Sequence, residues 1–267
     1  MVQPHLIQTQ LPEPPPRPFP IWPLCVLLGV IGIWSTAHHL SIDFQALLWG
    51  VGDMAEYIGR FGRPEIANFP RIAKLMAETL AMAVWGTAMA LILALILAPL
   101  AARNLSPHPV LYRAARELLN GLRALPDLLF ASIFVAALGL GPLPGVLAIG
   151  LHSAGFLGKV LAEILERVDS DTYDAVRATG ASFPQLVMWA GWPSALQEAI
   201  GYTIFIIDRN VRVAAILGLV GAGGIGMELT VAFRLFQYDR AAGLILVVLI
   251  VIASIDYISD WARRRVR

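Results

Sequence analysis

Apolar residues gather into six long windows separated by polar stretches. The windows run from Ile21 to Leu40, Ala77 to Ala102, Ala124 to Leu140, Val146 to Leu165, Ala195 to Leu219 and Ala241 to Ile258. A hydrocarbon core of about 30 Å needs roughly 17 to 25 mostly apolar residues per helix, and each window meets that length. Period-two alternation over ten-residue units is missing, which excludes a transmembrane β-barrel and leaves helices to satisfy the backbone in lipid. The expected fold is all-α, a polytopic transmembrane helical bundle of about six spans.

Composition agrees: hydrophobic residues make up 57% of the 267 and charged residues 15%, the balance of a multispanning membrane protein. With six spans, the N-terminus, the stretches 103–123 and 159–193, and the C-terminus share one side and carry twelve basic residues. The stretches 41–76 and 220–240 on the other side carry six. The richer side is expected to be cytoplasmic, with both ends inside and the cluster Arg263, Arg264, Arg265 and Arg267 as its clearest marker.

Residues 1–20 read as a Pro-rich cytoplasmic tail, in which Pro12, Pro14, Pro15, Pro16, Pro18 and Pro20 favour an extended leader. The window 21–40 is too long for a signal-peptide core and lacks a small-residue cleavage site after it, so it is expected to stay as the first transmembrane helix. Its Cys25 is the single cysteine and makes no internal disulfide. In the outer-face segment 41–76, Phe44, Leu47, Leu48, Val51, Met54 and Ile58 recur at helical spacing, with Trp49 beside them and Asp53, Glu56 and Arg60 on other faces. This is either an interfacial helix or a cap packed on the bundle. Residues 77–260 hold the remaining five spans, and 261–267 form a basic cytoplasmic tail.

Between the fourth and fifth windows lies a polar island, Glu166 to Pro193. Ser170 is placed to cap a short helix whose first turn carries Asp171 and Asp174, where the helix dipole favours negative charge, and Gly180 supplies a left-handed stop. Ser182, with Gln185 three residues on, forms a capping box for a second short helix ended by Gly191 and Pro193. Ser194 with Gln197 repeats the pattern and launches the fifth span. Two short helices joined at Gly180 are expected.

The run DAVRATG, followed after nine further residues by Ala190, Gly191, Trp192 and Pro193, resembles the EAA loop of ABC importer permeases. The family pattern is Glu, Ala, Ala, three residues, Gly, nine residues, Ile, any, Leu, Pro. Asp174 stands for the Glu, Ala175 and Val176 for the two Ala, and Gly180 and Pro193 keep their places, while Ala190 and Trp192 replace Ile and Leu. The resemblance implies a type I ABC importer permease fold in which 166–193 is a coupling loop, seated in a groove of a cytoplasmic ATPase and transmitting its ATP-driven closure. Ala175 and Gly180 suit close docking, because small residues let a partner surface approach the helix backbone.

A second stretch, IDRNVRVAAILGLVGAGGIG from Ile207 to Gly226, resembles the fifth-span signature of permeases from phosphonate and phosphite importers. Those permeases carry an additional N-terminal span ahead of a five-helix core. The implied cargo is a phosphonate or a related phosphorus oxyanion such as phosphite or a phosphate ester. Methionine-type permeases share the coupling loop and a Gly-rich segment, so another small solute such as methionine is the alternative.

Asp208, Arg209 and Arg212 stand inside the fifth span, where each charge near the bilayer centre costs roughly 2.5 to 3.5 kcal/mol on insertion scales. Asp208 and Arg212 lie four apart, acid first, so they can pair on one helix face. Arg209 points about 100° away and must find another helix, a carbonyl, water or an anion. Asp208, Arg209, Asn210 and Arg212 are therefore candidates for the translocation path or gate, with Arg209 facing a phosphonate dianion. A structural network holding two protomers or a gate is the other reading.

Gly221, Gly223, Gly224 and Gly226 fit GxGxxG literally, yet no strand or βαβ unit surrounds them and no ribose-binding acid follows at the expected offset. A tight re-entrant turn or close helix packing on the outer side is expected instead, with Glu228 capping or lining an entrance. Lys159 and Glu163, four apart, are expected to form a solvated or interhelix pair. His38 and His39 end the first span without partners for a metal site, and His152 is expected to be a packed polar residue.

The only lysines, Lys74 and Lys159, close no GxxxxGK[ST] loop, so ATP hydrolysis is expected from a partner subunit. The resemblance implies a homodimer in the bacterial cytoplasmic (inner) membrane, two cytoplasmic ABC ATPase subunits that bind the ATP and Mg, and a periplasmic or lipoprotein substrate-binding protein. The chain itself is expected to be no enzyme, to hold no cofactor, and to contact lipid but not nucleic acid. Two other classes compete: an intramembrane enzyme using His38, His39, His152 and Asp208, and an ion-driven transporter with Asp208 as coupling carboxylate. The enzyme needs those groups at one depth; the ion-driven transporter leaves the organised cytoplasmic loop without a use and lacks an inverted repeat.

Overall fold

A computed structural model describes residues 21–40, 44–66 and 68–266, so the Pro-rich tail and Arg267 lie outside the described residues. The chain divides into two units, 1–56 and 57–267. In the first unit the opening apolar window forms α1 (Trp22–His39), started by a proline in its first turn and carrying no buried residue. A helix α2 (Phe44–Gly59) crosses the division between the units, and Trp49, Val51, Met54 and Ile58 on it are exposed.

The second unit begins with α3 (Phe69–Ala101), which starts eight residues before the predicted window, from a left-handed Asn68 whose side chain accepts from the Arg71 amide. The polar stretch expected to be a loop holds an amphipathic helix, α4 (Pro109–Ala124), capped by His108. The third window yields only α5 (Asp127–Leu138), 12 residues long. Pro126 explains the break between them, because a residue before proline is pushed out of the helical region, and Leu125 is extended. Next come α6 (Pro142–Arg167), α7 (Ser170–Arg177), α8 (Phe183–Leu186), a π turn Val187–Gly191, α9 (Trp192–Leu217), a 3-10 turn Gly218–Val220, α10 (Gly224–Arg234) and α11 (Tyr238–Val266). The described part of the expected basic tail, 261–266, is therefore the end of α11.

Every element among the described residues is helical. Three helices, α3, α6 and α11, are long and apolar enough to cross a membrane, and there are five spans if each bent pair, α4 with α5 at 84° and α8–α9 with α10 at 43°, counts as one. Those five fall on the second to sixth predicted windows. α1 falls on the first and is not among the five, its last turn being taken up by His38 and His39.

The largest helix interface in the second unit joins α3 to α6. It is built on small residues: Ala83, Ala90, Ala94 and Ala98 of α3 and Ala148, Ala154 and Ala162 of α6 are fully buried. In lipid, apolar surface gives little drive to associate, so helices are held by close packing that such residues permit. At its start α6 is tied to the Gly-rich segment, where the Gly141 amide donates to Gly221 O at 3.1 Å. Its 26 residues then run about 39 Å to the polar island at the other end.

Candidate functional site

The polar island folds as two helices meeting at Gly180, with corrections at both ends. Asp169, not Ser170, caps α7 by accepting from the Asp171 amide at 3.1 Å; an acidic cap also meets the positive end of the helix dipole. Gly180 has φ +78°, a left-handed value that suits glycine. The Ser182–Gln185 capping box is present. Gly191 and Pro193 do not end the second helix, and Ser194 does not cap a third. Instead α8 runs through the π turn into α9, with the Trp192 amide donating to Val187 O. Pro193 has no N–H and its ring crowds the carbonyl one turn back, so the wider π turn lets the helix continue past it.

Around α7 the contacts form a clamp. The Tyr173 side chain is buried and its hydroxyl donates to Leu165 O at 2.9 Å. Burial pushes its pKa up to about 12, against the opposing pull of Arg177, so it remains a donor. Glu166 accepts from the Arg103 amide at 2.7 Å and from Arg116 Nη2 at 2.9 Å. Asn104 Nδ2 donates to Leu165 O at 3.0 Å, and Arg177 Nη2 donates to Asn104 O at 2.9 Å. These bonds fasten α7 to the end of α6 and to the α3–α4 corner. The other face of α7 stays open: Asp174, paired with Arg177 at 2.9 Å, is exposed together with Ala175 and Gly180, and Val176 is half-buried. Ala175, Val176 and Gly180 line a concavity of about 530 Å³ with Gln185 and Trp189, while Pro193 lies exposed beyond it.

Midway along the bundle the charges of α9 separate into two groups. Arg212 binds Asp208 at 2.7 Å, as the i, i+4 spacing predicts, and also Asp256 of α11 at 2.6 Å. Arg209, on another face, reaches His152 Nε2 of α6 at 3.1 Å and Asp127 of α5 at 3.5 Å. Asn210 is fully buried between them, accepting from Ser153 Oγ at 2.8 Å and donating to Thr87 Oγ1 at 2.9 Å. His152 and Asp208 each bond a different arginine and do not meet.

At the opposite end from α7, Gly221, Gly223 and Gly224 all have positive φ, +93°, +83° and +66°. Gly226 lets α10 lie directly on the Ala215–Gly218 backbone. The Gly224 amide donates to Glu78 Oε1 at 3.0 Å and the Ile225 amide to Thr79 Oγ1 at 2.9 Å, which fixes the turn to α3. Glu228 is no cap; it is buried and binds Arg71 of α3 and Arg240 of α11, beside a cavity of about 400 Å³.

The profile described as "Binding-protein-dependent transport system inner membrane component" matches residues 69–267. The chain belongs to that family. Among its relatives is the phosphite transport system permease protein PtxC of Stutzerimonas stutzeri, 39% identical over 241 residues that cover 90% of this chain and 87% of that protein. The phosphate-import permease protein PhnE of Mycolicibacterium smegmatis is 43% identical over 226 residues, 84% of this chain but 42% of that protein. In fold the chain is similar to a solved MetNI methionine ABC transporter in an inward-facing conformation, with a TM-score of 0.63 at 20% identity, over 76% of this chain and 99% of that one.

Several residues that organise this permease were not found from the sequence. Asp256 stood in plain view as an acid inside an apolar window, a signal that should have been read as an intramembrane partner. Asp127 and Glu78 carry the same signal near the starts of the windows 124–140 and 77–102, but which groups they and Thr79 meet depends on how α5 and α3 pass distant segments. Lys159 donates to Asn120 of α4 at 3.2 Å and forms no ion pair with Glu163 among the described residues. His38 and His39 lie in the last turn of α1.

Proposed function

We propose that this permease forms the translocation path of an ATP-driven importer for a phosphorus oxyanion, working as a homodimer with two cytoplasmic ABC ATPase subunits and an external binding protein. The observation that carries the reading is the clamp on α7. The exposed face of α7 with Asp174 and Ala175, followed by the turn at Gly180, is fastened through Tyr173 to α6 and through Arg177 to the α3–α4 corner, which Glu166 of α6 in turn ties to Arg116 of α4, so a push on α7 is delivered to α6, α3 and α4. The side carrying α7 is then cytoplasmic and the Gly-rich turn faces outward. ATP and Mg belong to the partner ATPase.

The cargo class rests on relatives named for phosphite and phosphate import that match most of this chain. A cation inside the bundle suits an anionic cargo: Arg209 is proposed to face the path, while Asp208, Asn210 and Arg212 hold the helices of the gate together. The test is uptake by cells that carry or lack the gene, supplied with radiolabelled phosphite, methylphosphonate or methionine. Loss of phosphite or methylphosphonate uptake on deletion is expected. Loss of methionine uptake alone would overturn the cargo assignment.

A further inference from the structure

Arg209 differs from its neighbour Arg212 in how its nitrogens are used. Arg212 places a carboxylate on each terminal nitrogen, at 2.6 and 2.7 Å. Arg209 Nη2 is shared between His152 Nε2 at 3.1 Å and a longer contact to Asp127 Oδ2 at 3.5 Å, while Nη1 is buried with no partner. A buried donor left without an acceptor costs about 1–3 kcal/mol, so such a group calls for a use.

The surroundings hold the guanidinium in place without saturating it. His152 Nδ1 lies 2.9 Å from Leu125 O, which can only accept, so Nδ1 carries the proton and Nε2 presents its lone pair to Arg209. Leu125 is the residue at which α4 stops and α5 turns away at 84°. Asp127 opens α5, and its Oδ1 accepts from the Leu128 amide at 3.1 Å, leaving Oδ2 toward Arg209. The side chains of Arg209 and Asp127 are 31% and 24% exposed, so they can be reached from outside a single protomer. Yet His152 lies ten residues, about 15 Å, inside α6. Charges at that depth face water or protein, because facing lipid is costly.

We infer that Arg209 takes a phosphorus oxyanion by exchange with Asp127. A cargo oxygen replaces Asp127 Oδ2 at Nη2, the guanidinium released from Asp127 rotates so that Nη1 leaves its buried position and meets a second oxygen, and the planar fork then holds the anion on two bonds. When the cargo leaves, Asp127 returns. Asp127 is thus a resident competitor that keeps Arg209 from trapping a dianion, since a conducting site must be favourable enough to enter and weak enough to leave. The inference rests on the importer reading above.

The experiment is calorimetric titration of the full-length permease in lipid nanodiscs with methylphosphonate, and with nitrate as a monoanion control. Weak methylphosphonate binding is expected for the wild type, about tenfold tighter binding for Asp127→Asn, wild-type affinity for the charge-keeping Asp127→Glu, and none for Arg209→Gln. Thermal unfolding of each variant shows that it is folded, and Asp127→Ser replaces Asp127→Asn if the latter is not. Unchanged or weaker binding on neutralising Asp127, binding that survives Arg209→Gln, or no binding in any folded variant overturns the exchange. Cellular uptake of methylphosphonate, measured alongside, separates the two readings. Intact uptake with no Asp127 effect defeats the exchange alone, whereas a wild type that never supports uptake of phosphorus oxyanions defeats the importer reading.

Discussion

Arg212 Nη1 lies 2.6 Å from Asp256 Oδ1, and this ion pair joins α9 to α11 inside the bundle. The same guanidinium neutralises Asp208, whose side chain is only 8% exposed, whereas that of Asp256 is 48% exposed. The two acids therefore depend on Arg212 to different degrees. Arg212→Ala is expected to cost about 3 kcal/mol by stranding a buried carboxylate. Asp256→Ala should cost less, because Asp208 still pairs Arg212 when Asp256 is gone. Denaturation of the detergent-solubilised protein measures both, and adding Asp208→Asn to Arg212→Ala should restore part of the loss. Equal losses for the two single substitutions would show that Asp208 does not need Arg212.

Asn210 spends its amide on two hydroxyls, Ser153 and Thr87, with no exposure to solvent. Asn210→Ala should destabilise the bundle by about 2 kcal/mol, because both hydroxyls lose a partner in a place water does not reach. Adding Thr87→Val and Ser153→Ala should return part of that stability in the same unfolding assay. A triple variant as weak as the sum of its parts would mean that the three side chains act independently.

The cap of α7 gives a local test. Asp169→Ala removes the side-chain acceptor of the Asp171 amide, a change of about 1 kcal/mol, so hydrogen exchange in the first turn of α7 should quicken about fivefold. Ser170→Ala should leave exchange unchanged. The reverse order would restore Ser170 as the cap.

Tyr173 makes a prediction about pH. Its hydroxyl titrates near pH 10 in an unfolded chain and is pushed up to about 12 by burial in the folded one. Below pH 10 both states hold the proton and stability does not change on this account. Between pH 10 and 12 the unfolded state ionises first, so stability falls as pH rises. In an ultraviolet titration Tyr173→Phe should remove a late-ionising tyrosine. Removal of an early one instead would mean that the hydroxyl is open to water.

Much of this architecture was legible because membrane spans announce themselves by length. The window at Val146 became α6 with small extensions at either end, and the window at Ala241 became α11, which runs on past Ile258 to Val266. The turn at Gly180 and the box at Ser182 were legible because each is decided within four residues. What lay hidden depends on contacts over long sequence distance. α4 is amphipathic and has the polarity of a loop between spans, and the sequence around Pro193 predicts a break because the π turn that accommodates a proline leaves no sequence mark. Asp208 with Arg212 followed from helical spacing, but Asp127 and His152 as partners of Arg209 depend on where α5 and α6 pass α9.

The central claim, that α7 receives the stroke of an ATPase, is tested most directly by purifying the permease with candidate ATPase and binding-protein partners and measuring ATP hydrolysis with and without liganded binding protein. Asp174→Arg changes an exposed charge and Gly180→Trp fills the open concavity beside Ala175. Loss of the stimulation in both variants, with thermal unfolding of the permease unchanged for Asp174→Arg, is the predicted result. Full stimulation in both would contradict a docking role for α7.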